Sequence, residues 1–491
     1  MRFDDLRREL ARVEAALGSI EPDADTSSLV ERKAVAKLQL DSVVYPVLTL
    51  PGEITSEIFL KCGEPEYLAG VPSARAAPLL LLRICRAWTS IALSTPALWT
   101  HLSTGTGYRT GDTLEPKGQG IDRWLGRASA LPISLYFYGA GEMWHKYVKT
   151  LLHRQASRLG TLCLMQDFDV STLGEPVQFP ILQSLTLERT SSDGLIRTFR
   201  DTPQLREVSL PAGYSIGPRK VALPWHQLTT FSAKSVLIVD CLQVLRDCPL
   251  LRKCSLGSIL EAEDRPVFPT VHRTLEELSL ERGSAEILHF LDLPALRALT
   301  LKGVTLWGAL FSDFLRRSSN SLRVLTYDED ASNVLSLEWF RIASRLVEVT
   351  LDTAKMDFIH TLLLELDRSA HPKFLPDLHH LELVTTHHFT IDAPVIAALQ
   401  SRRPIREPVI ASLEGESNAA KAEADRDITR RREREPKTAT LESLGLIRLC
   451  HNYDLDWEEI GEIDWDALYI LGVEGMDIYV GSDKENFLWE W

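Results

Sequence analysis

Histidine, cysteine, glycine and serine are the residues of this chain whose spacing can be set against known chemistries. The thirteen histidines include His379-His380 and His387-His388. A metal centre needs ligands that converge at helical or turn spacing, and no His-Glu-x-x-His is present. The pairs read as core or surface histidines, so no metal is expected. Cys241, Cys248 and Cys254 lie near one another. They read as buried structural thiols, because Cys254 occupies an apolar repeat position. Gly105, Gly107 and Gly111 follow a segment read as helical rather than a strand, which predicts a flexible linker and not a phosphate loop. No serine or cysteine sits in a nucleophile elbow. The residues therefore predict no catalytic group, no cofactor and no enzyme. What remains is recognition chemistry, from rows of hydroxyls and carboxylates that a regular scaffold would have to align.

That scaffold is written in a repeat. From residue 159 the order apolar, two residues, apolar, one residue, apolar recurs. It runs through Leu159/Leu162/Leu164, Leu182/Leu185/Leu187, Leu205/Val208/Leu210, Leu228/Phe231/Ala233, Leu251/Cys254/Leu256 and Leu275/Leu278/Leu280. It continues through Leu296/Leu299/Leu301, Leu322/Leu325/Tyr327, Leu346/Val349/Leu351, Leu378/Leu381/Leu383 and Leu441/Leu444/Leu446. The first nine starts are spaced by 23, 23, 23, 23, 24, 21, 26 and 24 residues. The last two apolar positions of a unit lie two apart and so share one face of a short strand. One unit cannot bury its leucines alone, whereas stacked units can. Pro180, Pro203, Pro249, Pro294 and Pro376 stand two residues before a first leucine, where a missing N–H is harmless. Leu195–Phe199 and Phe311–Arg317 read as helices between units. This pattern, over roughly 155–450, resembles a leucine-rich repeat. The ninth position holds Asp167, Thr190, Gly213, Val236, Ile259 and Gly283, so an asparagine ladder is absent.

Between the two strand leucines of each unit stands a residue that must point outward. From Thr186 to Thr350 these are Thr186, Ser209, Ser232, Ser255, Ser279, Thr300, Thr326 and Thr350, all hydroxyls. Crowded strand faces accept small polar residues, and this alone accounts for the row. Alternatively the row is a track for an extended peptide, with Glu207, Lys253, Glu277 and Glu348 in the neighbouring column setting its specificity. Eleven strands at about 4.8 Å would give a track of roughly 50 Å, enough for ~15 extended residues.

Residues 46–102 differ in character. Pro51 suits a first helical turn with Leu50 as its staple. Ile54, Ile58 and Phe59 share one face, and Leu81, Ile84, Cys85 and Trp88 form a second stripe on a helix expected over Leu79–Trp88. Leu98 and Trp99 end a third element behind Pro96. Three short helices make a thin core, which leaves apolar surface for a partner. Leu50-Pro51-x-Glu53-Ile54, Cys85-Arg86-x-Trp88 and Pro96-x-Leu98-Trp99, in this order, resemble an F-box. With the repeats behind them they are similar to fungal F-box proteins. The resemblance implies a substrate-recognition subunit of an SCF-type cullin–RING ubiquitin ligase. It would dock a Skp adaptor through Leu50, Pro51, Ile54, Ile58, Phe59, Leu81, Ile84, Cys85, Trp88, Leu98 and Trp99. An unknown target protein would sit on Glu207, Ser209, Ser232, Lys253, Ser255, Glu277, Ser279, Thr300, Thr326, Glu348 and Thr350. A binding scaffold without a ligase is the alternative.

The expected architecture is α/β: an N-terminal all-helical F-box, then a leucine-rich-repeat-like right-handed solenoid of about 11 repeats. The divisions are a helical segment 1–45, the F-box 46–104, a linker 105–130, the repeats 131–451 with a charged insertion 402–438, and an acidic cap 452–491. Phe3, Leu6, Leu10, Val13, Leu17 and Ile20 have the spacing of an amphipathic helix. The insertion carries ten bases and eight acids. The cap carries twelve acids and one base, which is 12 − 1 = 11 net negative charges of the chain's 14. A net charge of −14 argues against nucleic acid as a partner. No apolar run approaches the ~18 residues that cross a bilayer, and no secretory leader is read, so no membrane is expected. Seven cysteines without a Cys-x-x-Cys predict a reducing compartment, cytoplasmic or nuclear.

Overall fold

A computed structural model of the chain describes residues 11–13, 15–16, 27–41, 50–62, 72–105, 118–138, 142–165, 177–187, 196–212, 221–260, 269–329, 335–352, 355–385, 389–402, 441–448, 461–473 and 476–482. The apolar columns of the repeat become rungs of one 14-stranded sheet. Its strands are β1 (His101–Gly105), β2 (Ile133–Tyr138), β3 (Leu159–Leu164), β4 (Ser184–Leu187), β5 (Glu207–Ala212), β6 (Thr230–Leu237) and β7 (Lys253–Leu260). They continue as β8 (Glu277–Ser284), β9 (Ala298–Thr305), β10 (Val324–Glu329), β11 (Glu348–Asp352), β12 (His380–Thr385), β13 (Ser443–Arg448) and β14 (Asp477–Ser482). From β3 to β14 each strand pairs in parallel with the next.

The register follows the columns. Leu162 pairs with Leu185, then Val208, Phe231, Cys254, Leu278, Leu299, Leu325, Val349, Leu381, Leu444 and Ile478. All twelve are buried, as are the leading leucines from Leu182 to Leu441. A one-residue slip would turn every one of them to water, so the pattern admits a single register.

Two architectural expectations are corrected. The repeat region is not an eleven-layer solenoid; it belongs to a parallel sheet of 14 strands with mixed connecting helices. The repeat specifies neighbour, register and buried face, but it says nothing of strands outside it. β1, β2 and β14 join the same sheet without the full motif. The connections are equally unlike one another. They include the helices Ile238–Asp247, Gly308–Ser318, Leu337–Ile342, Met356–Glu365 and Ala393–Gln400, and the 3-10 turns Trp225–Gln227 and Ala285–Phe290. Of the helix expected over Leu195–Phe199, Leu195 lies outside the described residues and 196–199 are not helical, since Ile196 makes a bridge to Val221, whereas Phe311–Arg317 lies inside Gly308–Ser318. Trp339 packs on both Phe311 and Tyr327, at 4.8 and 6.3 Å, fixing one connecting helix to the buried face.

Nor is there a clear all-helical F-box. Within 46–104 the described chain forms the helices Gly52–Cys62 and Arg86–Leu93, two 3-10 turns, Leu81–Arg83 and Pro96–Trp99, and the start of β1. The helix expected over Leu79–Trp88 is broken at Cys85, whose φ of −156° and ψ of 167° are extended. Thr89 Oγ1 bonds the carbonyls of Leu82 and Cys85, an alternative to continuous helix that hydroxyl side chains offer. Gly105 likewise ends a strand, and Gly107 and Gly111 lie outside the described residues.

The chain divides into two compact units, 1–105 with 112–134, and 106–111 with 135–491. In the first, Trp99 is wholly buried; its Nε1 donates to Ala92 O at 2.9 Å, and Arg127 lies 4.4 Å above its ring. Trp124 meets Trp99 edge-on at 4.9 Å and donates to His101 O at 3.1 Å. Helix Gly118–Arg127, which carries Trp124, occupies part of the span read as linker. Helix Ser27–Asp41 lies nearer the start, and of the earlier amphipathic pattern Val13 is buried while Phe3, Leu6, Leu10, Leu17 and Ile20 lie outside the described residues. Among the described residues no helix is long and apolar enough to cross a membrane.

Candidate functional sites

The first unit offers an apolar surface. Ile54 and Ile58 stand one turn apart on Gly52–Cys62 and so share a face. Leu50, Ile54, Ile58 and Ile84 are 38%, 50%, 43% and 50% exposed, and Pro51 is exposed. Their helix is held from beneath. Thr55 is buried and bonds Pro51 O, and Phe59 is buried against Trp88 with ring centres 5.0 Å apart. Trp88 and Cys85 are half-buried, while Phe59, Leu81, Leu98 and Trp99 are interior. Of the residues the F-box resemblance assigns to the adaptor, five are exposed, two half-buried and four hold the unit together.

The second unit offers a polar one. The outward row pairs in register from Thr186 through Ser209, Ser232, Ser255, Ser279, Thr300, Thr326 and Thr350 to Glu382, Gly445 and Tyr479. The eight hydroxyl residues are half-buried. Among the described residues their hydroxyls make no side-chain hydrogen bond within the protein, so they keep donors and acceptors for something else. The neighbouring column holds Glu207, Lys253, Glu277 and Glu348, all exposed. Lys253 and Glu277 pair at 2.9 Å, and that hydrogen bond, more than Glu277's charge, raises the Lys253 ammonium. The middle of the face thus neutralises itself.

At β11–β14 the same face carries an open cavity of about 350 Å³. Its lining includes Glu348, Thr350, His380, Glu382, Ser443, Gly445, Asp477 and Tyr479. His380 Nδ1 lies 2.7 Å from Ser443 Oγ, and His379 Nδ1 lies 3.0 Å from Glu442 Oε1. His387 and His388 lie outside the described residues. No group of three or more His, Cys, Asp or Glu among the described residues is placed to hold a metal ion.

Three features hold the scaffold that no repeated letter of the sequence marks. His272 sits between strand turns; its Nδ1 accepts from Leu275 N at 3.2 Å and its Nε2 meets Cys248 O at 3.0 Å. That pattern fixes the neutral tautomer with Nε2 protonated, and burial lowers its pKa. Gln227, Thr274 and Ser321 donate to turn carbonyls of the preceding unit, at Thr202 and Leu205, Pro249 and Leu251, and Pro294. They do what an asparagine ladder would do, one different donor per turn, so no repeated letter announces them. Arg402 is wholly buried, and its guanidinium donates to Leu366 O, Phe374 O and Leu375 O. Burial lowers its pKa to about 10. The sequence places it as the first residue of a solvated insertion, whereas the structure makes it an anchor whose carbonyl accepts from Leu441 N at 2.9 Å. The segment 403–440 lies outside the described residues, but its two ends meet there. Cys241, Cys248 and Cys254 are buried free thiols, and burial pushes the latter two up to about 12.

No protein-family model matches this sequence, and no curated protein matches it either.

Proposed function

We propose that this chain is a substrate-recognition subunit of an SCF-type cullin–RING ubiquitin ligase, without chemistry of its own. The exposed apolar surface of Leu50, Ile54, Ile58 and Ile84 supports the docking half of this reading most directly. A thin helical unit that leaves four large aliphatic side chains half in water has a face suited to a partner. The F-box-like sequence of the same segment points to a Skp adaptor as that partner. The unbonded hydroxyl row of the second unit suits the other half, an extended segment of a target protein. Holding the target near the ligase would raise the effective concentration of its lysines at the transfer site. Such a complex works in the cytoplasm or nucleus, where free thiols persist.

The test is affinity capture of the full chain from a eukaryotic lysate with mass spectrometry, beside an Ile54→Asp, Ile58→Asp variant. Both changes lie on exposed positions. A Skp adaptor and cullin should be captured by the original chain and lost with the variant. Capture of other proteins without an adaptor would favour a ligase-free scaffold.

A further inference from the structure

We infer that the cavity at β11–β14 is the specificity pocket of the target-binding face and takes an arginine side chain of an extended peptide. This rests on the reading of that face as the target surface. Three observations converge on it. The first is shape. In the outward row the residue after Thr350 and Glu382 is Gly445, and Tyr479 follows. The missing side chain opens the row, and a Cβ at Gly445 would stand 3.2 Å from Glu382 Cγ. Glu382 therefore leans over the gap as a movable wall. The backbone at Gly445 lies outside the left-handed region, so glycine is not required there for conformation.

The second is charge. Glu348, Glu382 and Asp477 line the cavity, and among the described residues none of their carboxylates has an ion pair or hydrogen bond. The middle of the face is different, since Lys253 and Glu277 answer each other there. The third is the match to a guanidinium. Five N–H donors in a plane suit a cavity whose lining carries three carboxylates, with the Thr350 hydroxyl beside them. The Tyr479 ring adds an aromatic wall for a delocalised cation. Glu348, His380, Ser443 and Asp477 lie in one register across four strands, about 14 Å at ~4.8 Å per strand, so the pocket admits one long side chain while the peptide backbone continues along the hydroxyls.

The experiment measures fluorescence anisotropy of the full chain at low salt. The probes are fluorescein-labelled Gly-Ser-Gly-Arg-Gly-Arg-Gly-Ser-Gly and its counterpart with both arginines replaced by glutamine. The arginine probe should bind at least tenfold more tightly. Glu382→Gln with Asp477→Asn should erase most of that preference, and Gly445→Leu, which fills the cavity, should erase it too. Asp313→Asn with Glu338→Gln, two exposed acids on connecting helices away from the sheet face, should leave it within twofold. Thermal unfolding at the original midpoint shows that each variant is folded. Equal binding of the two probes, or an arginine preference that survives both pocket changes, overturns the inference; the second result would place basic peptides on another acidic segment, such as 452–460. Adaptor capture is unaffected by the pocket variants, so failure of the ligase reading shows in capture and failure of the pocket in anisotropy.

Discussion

The two exposed surfaces of this protein are built on opposite terms. The helical surface of the first unit is aliphatic and sits on a small core, where Thr55, Phe59 and Trp88 hold one helix against another. The sheet face of the second unit is polar and sits on a long core whose twelve-residue column is buried throughout. Exposed aliphatic residues cost solubility and gain on any partner that covers them. Exposed hydroxyls cost little and gain only from a partner with matching geometry. The contrast suits an obligate partner on the first surface and a selected one on the second.

The sharpest way to break the comparison is to attack the two cores. Leu278→Ala or Leu299→Ala should each destabilise the second unit by about 2–5 kcal/mol, the usual cost of a buried leucine. Chemical denaturation measures it, and a cost below about 1 kcal/mol at both sites would contradict the register. Arg402→Met should cost a comparable amount, since Leu366 O and Phe374 O lose their donor at roughly 1–3 kcal/mol each, while Leu375 O keeps Leu378 N. Replacing 403–438 with a short Gly/Ser linker should change stability far less, because the ends already meet and loop entropy grows slowly with length. If the linker variant unfolds like Arg402→Met, the segment contributes more than closure.

Acid gives a smaller, signed effect. The unfolded chain protonates His272 at a higher pH than the folded chain does, because burial lowers the folded value. Its contribution is therefore intact above the unfolded pKa, about 6.5, and stability is lost as pH falls from there toward the folded value. A His272→Gln variant should show a shallower loss between pH 7 and 5 in thermal melts. The smallest effect is expected on the sheet face. Ser255→Ala should alter stability by less than about 0.5 kcal/mol, because the residue is only half-buried and its hydroxyl bonds nothing among the described residues. A larger loss would mean that the hydroxyl row serves folding rather than binding.

The sequence exposes what repeats and hides what does not. Leu162, Leu185 and Val208 share a column because each strand must bury the same face, so register and the outward row were both readable. β1 and β2 carry no copy of the motif, and the solenoid expectation failed at that point. The break at Cys85, where the backbone is extended and Thr89 bonds the Leu82 and Cys85 carbonyls, is recorded by no apolar stripe. Arg402 looked like one base among ten, since nothing in a charged run distinguishes the residue that turns inward. The cavity over Gly445 needed the neighbouring strands in place before an absent side chain could be seen as space.

The central claim is that the aliphatic surface of the first unit docks a Skp adaptor. Isothermal titration of the full chain with a purified adaptor tests it most directly, with Ile54→Asp, Ile58→Asp beside it. The account predicts one adaptor per chain, and a loss of affinity of at least a hundredfold in the variant with its thermal midpoint retained. No heat of binding to the original chain, or an affinity unchanged by the variant, would contradict it.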